Sequence, residues 1–171
     1  MSEKTTVFVP MSCDLIHEGH LNVIKHAKKY GTVIVGLLTD AAINVYKPLP
    51  VFTYKQRLAI IENIKGVDSV EKTEDWDYSS ALERLKPDYI IHGDDWKHNN
   101  QSQVRKNVTR QMKQWKGQVI EIPYTQGISS SSVKDIIRKE ISPSFQRAGN
   151  LRRIIGLNSL VRVIEVHNGL S

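Results

Sequence analysis

The chain has 171 residues, of which 40% are hydrophobic and 25% are charged, as is ordinary for a globular protein. This length allows one domain with an appendage and suffices to bury a core. No apolar run approaches the roughly 20 residues that a bilayer requires, and the N-terminus lacks a signal-peptide pattern. Of the net charge of +6, residues 141–171 carry +3, so +3 remains for residues 1–140, which is too mild to favour a nucleic-acid partner. We therefore expect neither nucleic acid nor membrane as a partner, and a small polyanionic ligand fits the charge better.

Cys13 is the single cysteine, so the chain cannot form an internal disulfide, and a cytoplasmic location is expected. The residue adjoins a pair of histidines, which could suggest a nucleophile. We interpret it instead as a small side chain that packs near a ligand, because a lone cysteine is weak evidence for catalysis.

Two histidines lie between the first predicted strand and the first predicted helix. Residues 5–10 predict a buried strand, and apolar spacing from Leu21 onward predicts a helix. His17 and His20 therefore lie on a strand-to-helix turn, where free backbone N–H groups and the helix dipole favour an anion. Gly19 lets a ligand approach the backbone, and each imidazole can donate an N–H to a phosphate oxygen. The turn suits a triphosphate, although pairs of histidines also occur as ordinary half-buried residues.

The rest of the chain alternates between predicted strands and predicted helices. Strands are predicted at residues 33–38, 67–71, 88–92 and 118–123, and helices at residues 54–65, 79–86, 101–116 and from 133 onward. Residues 46–53 contain two prolines and are predicted to form an ordered loop. We therefore expect the α/β fold class, with a doubly wound, Rossmann-like parallel sheet of about five strands.

Four polar segments follow predicted strands. They comprise residues 17–20, 39–40, 93–96 and 126–132. In a doubly wound sheet, ligands bind outside the carboxyl ends of the strands, at the point where the strand order reverses. These segments are therefore expected at one edge of the sheet, where they can form a single site.

Four stretches of the sequence, residues 11–20, 46–50, 92–96 and 124–132, resemble one family in order and spacing. The His-x-Gly-His turn resembles the signature of the nucleotidyltransferase superfamily. The whole set is similar to the cytidylyltransferases that activate small phosphate or phosphonate compounds, such as glycerol-3-phosphate cytidylyltransferase. A more specific resemblance is to the cytidylyltransferase domain fused ahead of phosphoenolpyruvate mutase in phosphonate biosynthesis. In that domain Met-Ser-x-Asp-x-Ile-His-x-Gly-His, Tyr-Lys-x-Leu-Pro and Pro-Tyr-Thr-x-Gly-Ile-Ser-Ser recur.

The resemblance implies a division of the chain. Residues 1–140 would form the cytidylyltransferase domain. Residues 141–171 resemble a linker helix and the first strand of a truncated phosphoenolpyruvate mutase-like domain, which could not close a barrel. The alternative is an ordinary C-terminal helix and strand.

The resemblance also implies an activity, namely transfer of CMP from CTP to a small phosphonate, such as 2-aminoethylphosphonate or 2-hydroxyethylphosphonate, with release of pyrophosphate. Mg²⁺ would be bound mainly through the triphosphate, without a dedicated protein site, and the chain would be a homodimer. The alternatives are a glycerol-3-phosphate or other phosphate-ester cytidylyltransferase, an adenylyltransferase, and a nucleotide-binding dimerisation module without catalysis.

Individual residues receive roles from the same resemblance. The catalytic residues would be His17, His20 and Lys47. The nucleotide-binding residues are Met11, Ser12, Gly19, Gly93, Asp94, Asp95, Trp96, Ile128, Ser129, Ser130 and Ser131. The residues that bind the acceptor are Asp14, Lys47, Arg57 and Tyr124.

Several of these assignments have an alternative. Residues 129–131 can cradle phosphates, or one serine can simply cap the last helix. Lys47 can clamp the phosphonate, or it can be a solvated loop lysine. Arg57 can assist on the phosphates or lie exposed on its helix. Asp95 and Trp96 can line the nucleoside site or form a capping and packing pair.

One departure from the family pattern bears on the identity of the acceptor. Tyr124 stands where glycerol-3-phosphate enzymes carry an arginine, and a tyrosine cannot supply that bidentate charge. This favours a phosphonate over glycerol phosphate. Asp14 is expected to orient an imidazole or to approach the metal. The remaining histidines are interpreted as structural; they are His26, His92, His98 and His167.

Overall fold

The computed structural model describes residues 4–97, 101–123, 153 and 155–157. The chain divides into two units, Met1–Asp135 and Ile136–Ser171, and the elements below belong to the first. The predicted helix from residue 133 and most of the predicted mutase-like segment at residues 141–171 lie outside the described residues. The predicted domain boundary therefore stays a prediction.

The described part of the first unit contains five strands and five helices. The strands are β1 (Thr6–Met11), β2 (Thr32–Leu38), β3 (Ser69–Thr73), β4 (Tyr89–Gly93) and β5 (Gln118–Ile122). The helices are α1 (Glu18–Ala27), α2 (Asp40–Asn44), α3 (Tyr54–Ile61), α4 (Ser79–Leu85) and α5 (Ser102–Met112), with short 3₁₀ helices at Asp94–Lys97 and Lys113–Trp115. Helices α2 and α3 follow each other between β2 and β3. No helix in this described part is long and apolar enough to cross a bilayer.

The strands form one parallel sheet in the order β3-β2-β1-β4-β5. The central strand β1 pairs with β2 on one side and with β4 on the other. The chain therefore winds outward in one direction from β1 to β3 and in the other direction from β4 to β5. This arrangement confirms the predicted doubly wound sheet of the Rossmann type, and it places the topological switch point between β1 and β4.

The two faces of the sheet carry separate apolar clusters. On one face, Val7 and Val9 of β1 belong to the same buried cluster as Ile24 of α1 and Ile61 of α3. On the other face, Phe8 of β1 belongs to a cluster formed with residues of α2, α4 and α5. Because helices cover both faces, the central strands are apolar at consecutive positions rather than at alternate ones.

The helix boundaries differ from the predictions at positions where capping residues begin or end a helix. Helix α1 begins at Glu18, because the side chain of His17 accepts a backbone N–H and caps it. The five-residue helix α2 was not predicted, and Thr39 caps it in the same way. Helix α3 was predicted to end near residue 65, but it ends at Ile61, and Glu62 forms its C-cap. Short helices such as α2 leave too little apolar periodicity to be recognised in a sequence.

Candidate active site

A cavity of about 230 Å³ opens at the switch point, beyond the carboxyl ends of β1 and β4. Eight residues that were predicted to form the site line it, namely Met11, Ser12, His17, Gly19, His20, Lys47, Gly93 and Asp95. Segments that are more than 70 residues apart in the sequence thus meet around one space. They do so because parallel strands end at the same edge of the sheet.

The His-x-Gly-His turn fixes the orientation of both imidazoles. His17 Nδ1 accepts the backbone N–H of Gly19 at 3.2 Å, and His20 Nδ1 accepts the backbone N–H of His17 at 3.4 Å. A ring nitrogen that accepts a hydrogen bond carries no proton, so in each neutral ring the proton is on Nε2. The two rings lie with their centroids 4.0 Å apart and both line the cavity. The turn therefore supplies two Nε2–H donors at the start of a helix.

Burial keeps both rings neutral. Desolvation is the main reason that the pKa of His20 falls from 6.5 to about 4, and the nearby charges of His17 and Lys47 lower it further. Desolvation also lowers the pKa of His17, and the carboxylate of Glu18 partly opposes this. At neutral pH the pair thus acts through hydrogen-bond donation rather than through positive charge.

Lys47 brings a cation to the same cavity. Its Nζ donates a hydrogen bond to Ser12 Oγ at 2.7 Å and lies 5.2 Å from the ring centroid of Tyr46. The side chain is half-buried rather than extended into water. The prolines at positions 48 and 50 restrict the following backbone, which holds the loop in place.

Arg57 is fully buried, which contradicts the alternative of an exposed helix arginine. Its guanidinium donates to the carbonyl oxygens of Ser12 and Phe52, at 2.5 and 3.2 Å, and to Asp40 Oδ1 at 2.7 Å. These bonds join the segment after β1, the loop before α3 and the start of α2. Arg57 does not line the cavity. In the structure it therefore positions the cavity wall, and a contact with the acceptor stays a prediction.

Asp14 and Cys13 also lie behind the cavity. Asp14 Oδ1 accepts the backbone N–H groups of Val51 and Phe52 at 2.6 and 3.2 Å, so this buried carboxylate anchors the proline-containing loop. Cys13 is 1% exposed, and burial raises the pKa of its thiol to about 12. A thiol of that acidity is a poor nucleophile, in agreement with the predicted packing role.

Trp96 belongs to the core rather than to the cavity wall. It is fully buried, and its Nε1–H donates to Glu121 Oε1 at 2.7 Å. The surroundings of Trp96 therefore agree with the alternative that it is a packing residue. Asp95, in contrast, lines the cavity, and its side chain is half exposed. Asp94 is half-buried and does not line the cavity.

The cavity also contains residues that the sequence analysis missed. His92 was interpreted as structural, yet it lines the cavity together with Tyr46, Tyr78 and Gln101. Its position in the sequence could have indicated this, because His92 immediately precedes Gly93, which was predicted to bind the nucleotide. Apolar lining comes from Pro10, Val23, Leu38, Ile91, Ile122 and Pro123.

Five predicted site residues lie outside the described residues. They are Tyr124, Ile128, Ser129, Ser130 and Ser131. Their roles stay predictions. Within the described part of the chain, no group of three His, Cys, Asp or Glu side chains could hold a metal ion.

The sequence of the chain is similar to those of known nucleotidyltransferases. The chain is 27% identical to a FAD synthase of Ferroglobus placidus over 134 residues, which cover 78% of this chain and 86% of that protein. It is 37% identical to an ethanolamine-phosphate cytidylyltransferase of Mus musculus over 86 residues, which cover 48% of this chain and 21% of that protein. The chain thus spans about a fifth of the mouse enzyme.

A solved structure matches over most of its length. The crystal structure of a lipopolysaccharide core biosynthesis protein from Thermoplasma volcanium superposes with a TM-score of 0.63 at 23% identity, covering 72% of this chain and 99% of that chain. This likeness supports the fold alone.

The sequence model of the family described as Cytidylyltransferase-like matches residues 12–136. Neither relative named above is described as a phosphonate enzyme, so the narrower resemblance to the domain fused ahead of phosphoenolpyruvate mutase stays a prediction. The family match covers well over half of the chain, and the chain therefore belongs to the Cytidylyltransferase-like family of nucleotidyltransferases.

Proposed function

We propose that the chain transfers a cytidylyl group from CTP to a small phosphonate and releases pyrophosphate. The observation that carries the proposal is the convergence of His17, His20 and Lys47 on one cavity at the start of α1. Two neutral Nε2–H donors, an ammonium group and a helix N-terminus together suit a triphosphate that meets a second anion.

In the proposed reaction, a phosphonate oxygen attacks the α-phosphorus of CTP. The bond from that phosphorus to the bridging oxygen breaks, and the electron pair leaves with pyrophosphate. No protein nucleophile takes part. The Nε2–H groups of His17 and His20 donate to oxygens whose negative charge grows in the transition state, and such fixed donors in a partly dry site contribute much of the rate enhancement.

We place the two substrates on opposite sides of the histidine turn, and the order of the strands supports this placement. Lys47 follows α2 and thus lies on the β2 side of the histidine turn, whereas Gly93 and Asp95 follow β4 on the opposite side. We place the phosphonate beside the ammonium of Lys47 and the nucleoside beside the segment after β4. The triphosphate then lies between them, at the histidine turn.

Mg²⁺ and a homodimer complete the proposal. In this proposal the ion is held mainly by triphosphate oxygens, whose charge it would offset.

Adenylyl transfer is a second candidate, and the FAD synthase relative favours it. That relative covers far more of this chain than the cytidylyltransferase relative does, and FAD contains an adenine nucleotide. The histidine turn would serve an ATP triphosphate equally well, because in this proposal it binds phosphate oxygens and not the base.

The experiment is a panel of pyrophosphate-release assays with Mg²⁺. CTP and ATP are each combined with 2-aminoethylphosphonate, 2-hydroxyethylphosphonate, ethanolamine phosphate, glycerol-3-phosphate and FMN. Turnover with CTP and a phosphonate would support the proposal. Turnover only with a phosphate ester, or only with ATP, would replace it by the corresponding alternative.

A further inference from the structure

His92 is a cavity residue whose chemistry the proposed reaction leaves unused. It lies in β4, and its side chain is 12% exposed. It lines the same cavity as the histidine turn, at the end of β4. A polar ring at that position faces the space in which we place the nucleoside.

The hydrogen bonding of His92 determines which nitrogen carries the proton. His92 Nδ1 lies 2.8 Å from the carbonyl oxygen of Gly93. A carbonyl oxygen can only accept, so Nδ1 must donate, and Nε2 of the neutral ring then carries a lone pair. Nε2 forms no hydrogen bond with any other residue in the part of the chain that the structure describes. His92 therefore has the tautomer opposite to that of His17 and His20.

Burial supports this protonation state. Desolvation lowers the pKa of His92, and the hydrogen bond to Gly93 and the nearby carboxylates of Asp95 and Glu121 only partly oppose it. The ring is therefore neutral at neutral pH, and Nε2 remains an acceptor.

The ring is also held rigidly. The imidazole of His92 stacks on the indole of Trp96, with the centroids 4.1 Å apart and the planes within 4° of parallel. Trp96 is fixed in turn by its hydrogen bond to Glu121, which also accepts from Arg105 Nε at 2.6 Å and lies 3.2 Å from Lys97 Nζ. An acceptor on a ring that cannot turn away can discriminate between ligands, because a mismatch cannot be relieved by rotation.

We propose that His92 Nε2 accepts a hydrogen bond from the exocyclic amine of the nucleobase, so that the site selects amino-substituted bases over keto-substituted ones. This inference rests on the proposed function, since it needs a nucleoside triphosphate in the cavity. Cytosine and adenine both carry such an amine, whereas uracil and guanine carry a carbonyl oxygen at the corresponding position. With a keto base, two acceptors would face each other and the hydrogen bond would be lost.

The test is isothermal titration calorimetry of the full chain, in the same Mg²⁺ buffer, with CTP, UTP, ATP and GTP as four separate probes. We expect the wild type to bind CTP at least about tenfold more tightly than UTP, because a site built to bond one polar group rejects the mismatched one. If the site takes purines instead, the same preference is expected for ATP over GTP.

Two variants at position 92 connect the preference to the ring. His92→Phe keeps a flat ring against Trp96 but removes the acceptor, and we expect its preference to fall to about threefold or less. His92→Gln offers a carbonyl oxygen that can accept, so an intermediate preference is expected. His26→Phe is the matched control, because His26 is a half-buried histidine that does not line the cavity. Its preference should equal that of the wild type.

Each outcome bears on one proposal or on both. Equal binding of amino and keto nucleotides by the wild type would overturn the inference and leave the proposed function standing. An unchanged preference in His92→Phe would do the same. Should that variant fail to fold, an unchanged preference in His92→Leu or a keto preference in the wild type would overturn it. Binding of none of the four nucleotides would reject the proposed function and the inference together.

Discussion

His17 and His20 lie with their ring centroids 4.0 Å apart, and each accepts a backbone N–H of their own turn through Nδ1. The same hydrogen bonds begin helix α1 and fix the protons on Nε2. The hydrogen bonds that start the helix are therefore also the ones that orient the two imidazoles in the cavity. In this turn, His17 both caps the helix and lines the cavity.

The first prediction concerns this pair. His17→Ala and His20→Ala each remove one Nε2–H donor, and we expect each to lower kcat about 100-fold or more, as does loss of a single donor to a charged transition state. His17→Gln and His20→Gln place an amide N–H near the same point and should keep more activity. Pyrophosphate release under saturating substrate measures the effect.

Thermal unfolding of the four variants is the control. His17→Ala also removes the cap of α1, which should cost about 1 kcal/mol. If both alanine variants fold and turn over at the wild-type rate, the proposed role of the pair is wrong.

The second prediction concerns stability at acid pH. The pKa of His20 is about 4 in the folded chain, against 6.5 for an ordinary histidine, and the pKa of His17 is also lowered. Between pH 6.5 and about 4, the unfolded chain therefore binds protons that the folded chain does not. The stability that the neutral rings contribute is fully present above pH 6.5 and is lost as the pH falls through this window, by up to about 3 kcal/mol for His20.

Urea unfolding at a series of pH values measures this effect. The wild type should lose more free energy of unfolding between pH 7 and pH 4.5 than His20→Gln, which has no ring to protonate. Identical pH dependence in the two proteins would contradict the prediction.

The third prediction concerns Lys47. Lys47→Met removes the ammonium beside Ser12, and we expect kcat/KM for the acceptor to fall about 100-fold, because a charged hydrogen bond to a phosphonate is lost. The affinity for the nucleotide should change far less. Steady-state rates at varied acceptor concentration, together with calorimetry of nucleotide binding, separate the two effects.

Lys72→Met is the matched control, since Lys72 is exposed and pairs with Glu74 away from the cavity. Its kinetics should equal those of the wild type. If the KM for the acceptor is unchanged in Lys47→Met, the proposal that the ammonium of Lys47 binds the acceptor is wrong.

The fourth prediction compares two arginines. Arg57 is fully buried and binds Asp40 and two carbonyl oxygens, whereas Arg84 forms a largely exposed ion pair with Glu71. Arg57→Met leaves buried polar partners unsatisfied and should lower the free energy of unfolding by about 3–5 kcal/mol. Arg84→Met should cost less than about 1 kcal/mol. Urea unfolding at pH 7 checks both values, and equal costs would show that the buried network contributes little.

Local patterns were sufficient to predict most of the architecture. The apolar runs of β1 and β2 and the apolar spacing of α1 and α5 are properties of adjacent residues, and they predicted the parallel sheet. The element ends were less accurate, because caps such as Glu62 after α3 act through individual hydrogen bonds. Helix α2 was missed because five residues carry little periodicity.

The sequence by itself determined the parallel sheet and the histidine turn, because hydrophobic spacing and the His-x-Gly-His hydrogen bonds act over a few residues. Tertiary structure decided the rest of the site. Arg57 reaches Ser12 across 45 positions, and Trp96 reaches Glu121 across 25. Such contacts determine that Arg57 is buried, that Trp96 packs in the core and that His92 lines the cavity. They depend on how distant strands come together, which no local pattern encodes.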